Sequence, residues 1–166
     1  MTEELSDPFG VRADERVMLT GFLDWYRTVV EHKVHGLPAD SANGAMTQTG
    51  LSPLGVVAHL AAVEVGWFAE TFAGEAIDPA WDTHGSFKLN NSDSVESIVA
   101  EYHAACARSR SIVDATASLD ALSTRSDEFR GRVSLRWILV HMLEETARHA
   151  GHLDIMREAI DGQTGD

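Results

Sequence analysis

The chain has 166 residues, enough for one domain with a real core, and at 44% hydrophobic residues it is too apolar to be disordered. Its 13 basic and 26 acidic residues leave a net charge of −13, a field that repels phosphate backbones and anionic membranes and so excludes nucleic acid as a natural partner. With one cysteine, Cys106, no internal disulfide can form.

The N-terminal stretch MTEELSDPFG lacks the basic-then-apolar order of a signal peptide. No apolar run is read as reaching the roughly 20 residues that cross a bilayer. A cytoplasmic protein is expected. Four helices are predicted in one domain covering residues 1–166. The first spans about 11–35, with Leu19, Phe22, Leu23, Tyr26, Val29 and Val30 at three-four spacing and Gly36 and Pro38 beyond its end. The second starts at Ser52 as cap and Pro53 as first residue, runs to about Phe72 and stops at Gly74. It is apolar on most sides, which marks a central helix. The third starts at a capping box of Asp93 and Glu96 and carries an apolar stripe from Val95 through Ile98, Val99, Tyr102, Ala105 and Cys106 to Ile112 and Val113. It ends near Ser118. The fourth runs from Ser134 to Asp161, with Gly162 ending it.

The first two connections are about 16 and 18 residues long, enough for crossovers between parallel helices. The expected fold is therefore an all-α four-helix bundle with long crossovers. The link between the third and fourth helices, DALSTRSDEFRGRV, has room for a short extended piece.

Eight histidines raise the question of function. His32 and His35 suit the negative end of a helix dipole, His84 falls in a crossover, and His103 flanks an apolar stripe. The fourth helix differs. At about 100° per residue, with His141 at zero, Glu145 falls near 40°, His152 near 20° and His149 near 80°. The core-facing residues Ile138, Met142, Leu153, Met156 and Ile160 centre at about 60–120°. Glu145 and His149 thus sit on the shoulder of the buried stripe, one turn apart, where a bundle places inward metal ligands. A third ligand must come from elsewhere. His59 is the best candidate, as the only titratable residue in LGVVAHLAAV. The competing reading is a core histidine satisfied by a carbonyl or a carboxylate, because periodicity does not fix which helices face each other.

Two long stretches, SPLGVVAHLAAVEVGWF and SLRWILVHMLEETARHAGHLDIMREAIDG, resemble the DinB-like metalloprotein superfamily, which includes mycothiol- and bacillithiol-dependent transferases. The resemblance runs from about DERVMLTGFLDWYR to IDGQTG. It implies an up-down-down-up four-helix bundle with three metal ligands, one in the second helix and two spaced four apart in the fourth. These map to His59, Glu145 and His149. A glutamate in the middle position is similar to the mycothiol-dependent maleylpyruvate isomerases. Where many members have HRGQ after the last ligand, this chain has HAGH, so the surroundings of that ligand are expected to differ. His141 and His152 flank the set.

The implied cofactor is a divalent ion, zinc first and nickel as the alternative. The implied chemistry is transfer of a small thiol such as mycothiol to an electrophile, or a thiol-dependent isomerisation. A metal-dependent hydrolase and a non-catalytic, metal-stabilised binding bundle are the alternatives. Arg12, Arg16, Arg27 and Lys33 on the first helix, and Lys88 in the crossover, are candidates to meet a carboxylated electrophile. Trp67, Phe68, Trp81 and Phe87 either wall a pocket or close the core or a dimer interface. A homodimer is compatible with the sequence, which does not locate its interface. Cys106 reads as packing.

Overall fold

Each long helix begins at a side chain that accepts from a free backbone amide, one of the donors a helix start leaves unpaired. A computed structural model describes residues 13–78 and 85–165. Asp14 caps α1 (Glu15–Val34), Ser52 caps α3 (Pro53–Glu64), Ser94 caps α4 (Val95–Ala115) and Ser134 caps α5 (Leu135–Asp161). A short helix, α2 (Ala39–Asn43), lies in the first connection and was not expected from periodicity. Among the described residues there is no strand, so the fold is all-α. The stops at Gly36, Gly74 and Gly162 all take positive φ, at 72°, 77° and 77°.

Two local readings need correction. The start of α4 is a capping box of Ser94 and Ser97, one residue beyond the expected Asp93–Glu96 pair. The Asp93 carboxylate instead accepts from the Asn90 amide at 2.7 Å and so closes the preceding turn. The second predicted helix is also not α throughout. Beyond Glu64 it continues as a π-helix, Val65–Phe72. Such segments are rare and concentrate at functional sites. The open end of this one is satisfied by the linker before α5: the Thr124 and Arg125 amides donate to the Phe72 and Thr71 carbonyls at 2.8 and 3.0 Å. That linker has only two isolated bridges, Leu122 with Ser134 and Asp127 with Gly131, in place of a strand.

The stretch Pro53–Phe72 is 20 residues long and apolar enough to cross a membrane by composition, contrary to the sequence reading. In the fold 61% of its most apolar window is buried, as a central helix requires.

α1 packs chiefly along α5, and α3 along α4, with α3 also meeting α5. The interior falls into two apolar clusters. One gathers Val30, Leu54, Leu60, Ile98, Tyr102 and Leu153; the other gathers Leu23, Phe68, Ile112, Ile138, Leu139 and Met142. Along α5 the seam between them lies after Met142 and before Ala150. Glu145 and His149 sit in that seam.

Two charged residues of α1 are buried. The Arg27 guanidinium forks onto Glu64, with Nε to Oε1 at 2.8 Å and Nη2 to Oε2 at 2.7 Å, and reaches Asp24 at 2.8 Å. Lys33 pairs with Asp154 at 2.7 Å and donates to the Gly165 carbonyl. Arg16 donates to the carbonyls of Val113, Thr116 and Ala117 at 3.0, 2.9 and 3.2 Å, where α4 ends. These three cations therefore tie helices together. Arg12, Trp81 and His84 lie outside the described residues.

Candidate metal centre

His59 projects from the middle of α3, and Glu145 and His149 project from one face of α5, a turn apart. The three meet. Among the described residues they are the group whose His, Cys, Asp or Glu donor atoms could hold an ion, each offering one atom within 4.8 Å of the others. His59 Nε2 lies 3.3 Å from Glu145 Oε1, and His149 Nε2 lies 3.2 Å from the same oxygen. His59 and His149 are buried and Glu145 is half-buried.

The far side of His59 is fixed by the loop that precedes α4. Its Nδ1 donates to the Gly85 carbonyl at 2.9 Å. The Phe87 ring stacks on it with centroids 3.8 Å apart and planes at 16°, and also meets His149 at 5.4 Å. Phe87 holds this position with φ at 61°, in the left-handed region that a bulky side chain rarely enters. Strain of this kind persists where neighbouring contacts over-determine the conformation. One such contact is at Gly55, where a Cβ would stand 2.7 Å from the Phe87 carbonyl oxygen. The glycine lets the loop lie directly on α3.

The donor chemistry fits a divalent cation. A carbonyl can only accept, so His59 carries a proton on Nδ1 and, when neutral, turns a lone pair of Nε2 toward a carboxylate oxygen. Two acceptors at 3.3 Å need a proton or a cation between them. An ion with ligand bonds of about 2.0–2.1 Å in tetrahedral geometry spaces its donors at roughly 3.4 Å. Two of the three separations here are already 3.3 and 3.2 Å. Protonation states suit the same ligand role. Burial lowers the His149 pKa, and the nearby His59 adds to the effect, so the imidazole favours its neutral, metal-binding form. Burial alone would raise the Glu145 pKa, but hydrogen bonding from His59 and positive charge at His149, in the forms of these rings that carry an extra proton, outweigh it and hold the carboxylate below its ordinary range; a bound cation would take over that role from the protons.

The flanking histidines take other places. The His141 ring stacks on Trp137 at 5.0 Å and meets Trp67 edge-on at 5.0 Å, with Arg130 over the Trp137 face. His152 touches His149 through their Nδ1 atoms at 3.2 Å. His103 pairs with Glu31 at 2.9 Å, and His32 and His35 are exposed on α1 and its cap. Cys106 is buried, and desolvation pushes its thiol up to about 12. Missing from the sequence reading were Gly85 and Phe87 as partners of His59. The signal that could have found them is the small Gly55 one turn before His59, a place for a close backbone approach.

No match was found among curated proteins. The family model described as Mycothiol-S-transferase matches residues 18–162. The chain therefore belongs to the mycothiol S-transferase family, a DinB-like family, as its two long motifs implied.

Proposed function

We propose that this protein is a metal-dependent S-transferase, or a thiol-dependent isomerase, that uses a small thiol of the mycothiol type, with His59, Glu145 and His149 as the protein ligands of its ion. The observation that carries this reading is the convergence of three donor atoms within 4.8 Å. Two nitrogens and one carboxylate oxygen match zinc sites that keep an open position, and nickel accepts the same donors. The proposal includes a single domain folded as a four-helix bundle of up-down-down-up course with crossovers, acting in the cytoplasm. The pairing of α1 with α5 and of α3 with α4 supports that course.

When bound, a divalent ion supplies the Lewis acidity that brings a thiol's pKa into the neutral range. The chain's own residues do the rest. Glu145 contributes the negative charge that two neutral imidazoles lack. The Gly85 carbonyl orients His59, and the Phe87 ring excludes water on one side of both imidazoles. Cys106, buried with its pKa near 12, is no nucleophile, so the sulfur comes from a substrate. In transfer that sulfur forms a bond to the electrophilic carbon, its proton goes to solvent, and a displaced group leaves with the bonding pair. Of the cations considered for a carboxylated electrophile, Arg16, Arg27 and Lys33 are committed to the fold. Among the described residues, Lys88, exposed and next to Phe87, is the candidate for that role.

The test is thiol consumption by the zinc-loaded protein with mycothiol, bacillithiol, glutathione or water as nucleophile and an alkylating electrophile as acceptor. Mycothiol is expected to be consumed, and the rate to be lost on chelation and restored by zinc. Turnover with water alone would replace this reading with a hydrolase. Zinc bound tightly with no turnover would replace it with a metal-stabilised binding bundle.

A further inference from the structure

His152 lies one turn beyond His149 on α5 and is half-buried. The two Nδ1 atoms are 3.2 Å apart, and the rings meet edge-on, with centroids 5.1 Å apart and planes at 66°. Two imidazole nitrogens at this distance cannot both present a lone pair, nor both a proton; one donates and the other accepts. The second nitrogen of His149, Nε2, faces Glu145 Oε1 and His59.

We infer that His152 is a positioning residue for His149. Its Nδ1 accepts the Nδ1–H of His149 and holds that ring in the tautomer whose Nε2 lone pair faces the ion. The inference rests on the metal-site reading given above. Under it, His152 keeps its own proton on Nε2. The arrangement then has two matching halves. His59 is held through Nδ1 by a backbone carbonyl, and His149 through Nδ1 by a side chain. A metal-bound imidazole with its far nitrogen left unbonded is free to rotate and to change tautomer, which is why such outer partners matter. His141 cannot substitute for His152, since its ring is engaged with Trp67 and Trp137 and its Nδ1 lies 3.5 Å from Glu144.

The experiment is zinc affinity by chelator competition for the wild type, His152→Ala, His152→Gln and His149→Ala. His152→Ala is expected to weaken binding by about 10- to 100-fold. His152→Gln, whose amide oxygen accepts the same proton, is expected to recover most of that loss. Long-range proton–nitrogen NMR of the zinc-loaded wild type gives a second readout that needs no variant to fold. It should place the proton of His149 on Nδ1 and that of His152 on Nε2. A His152→Ala protein that binds zinc like the wild type, a His152→Gln protein no better than alanine, or a proton on Nε2 of His149 in the loaded protein each overturns the assignment. Failure of the metal site itself looks different: His149→Ala would then bind zinc as tightly as the wild type.

Discussion

Gly55→Ala places one methyl group where the loop rests on α3. The new Cβ would stand 2.7 Å from the Phe87 carbonyl oxygen and 3.0 Å from Ser52 Oγ. Ordinary carbon–oxygen contacts lie at about 3.3–3.6 Å, so the carbonyl must retreat by roughly 0.6 Å. Phe87 has little room to absorb the shift, because its φ of 61° is already unfavourable. The Gly85 carbonyl, two residues earlier, moves with it. A retreat of that size would stretch the 2.9 Å bond to His59 Nδ1 to about 3.5 Å, beyond useful length. Losing that bond costs about 1 kcal/mol and crowding a backbone carbonyl about 1–3 kcal/mol, while alanine in a helix returns up to about 1 kcal/mol over glycine. The metal-free protein should therefore lose about 1–3 kcal/mol, or roughly 2–12 °C in melting temperature. Zinc affinity should fall about 10- to 100-fold, because a ligand has lost the partner that orients it. Calorimetry of the metal-free protein and chelator competition for zinc measure the two effects. Unchanged zinc affinity would refute the account of the loop. A loss of more than about 5 kcal/mol in the metal-free protein would show general damage instead.

Replacing Glu64 with glutamine strands the buried Arg27 charge, with Asp24 as its remaining ion-pair partner, and should cost about 3 kcal/mol, or roughly 6–12 °C in melting temperature; the double change Arg27→Met/Glu64→Leu should recover most of it. Zinc at about 100 times its Kd should stabilise the wild type by about 2.7 kcal/mol in chemical denaturation, and Glu145→Gln should reduce that gain sharply, with no gain in the wild type counting against the site. Because burial lowers the pKa of folded His149, unfolded chains bind a proton near pH 6.5 that the native state refuses, so the metal-free protein should lose stability as pH falls below about 6.5. The depressed Glu145 adds a second loss below its ordinary 4.5; a protein that gains stability from pH 7 to pH 5 would contradict the His149 shift, and one that gains stability from pH 4.5 to pH 3 would contradict the Glu145 shift.

The helices were legible because their caps and glycine stops are local signals. Ser52, Ser134, Gly74 and Gly162 act where the sequence places them. The one misplaced cap, at α4, shows the limit: Asp93, Ser94 and Glu96 all have the right chemistry, and only the preceding turn decides among them. The π-helix after Glu64 was not legible, since its apolar pattern also fits an α-helix and its end is held by a linker some 50 residues away in sequence. Nor was the burial of Arg27 and Lys33. Long cations on a stripe's edge are ordinarily solvated, and their partners Glu64 and Asp154 come from other helices. At the centre, the α5 pair came from angular arithmetic, while His59 needed the family resemblance to choose between ligand and core histidine. The geometry contains part of both readings, since His59 does donate to a carbonyl and its other nitrogen faces Glu145.

The helix that carries His59 also carries Glu64, and the contrast between them says where a cation belongs. Both are polar groups buried in an apolar helix, and both need partners. Glu64 is complete: its two oxygens accept from the fork of one guanidinium, and the pair sums to zero charge. The cluster around His59 is not complete. It combines one ionised carboxylate with two imidazoles, and the folded environment favours the neutral form of His149. Three acceptor atoms then face each other across less than 5 Å, with one negative charge among them. Protons could relieve that, but burial at His149 disfavours them. A divalent ion relieves it without protonating any ligand, and its affinity should rise as pH rises through the His149 titration, because fewer protons compete. The same polarity that makes Glu64 a structural clamp thus leaves His59, Glu145 and His149 lined with acceptors, which supports the proposal that they hold an ion.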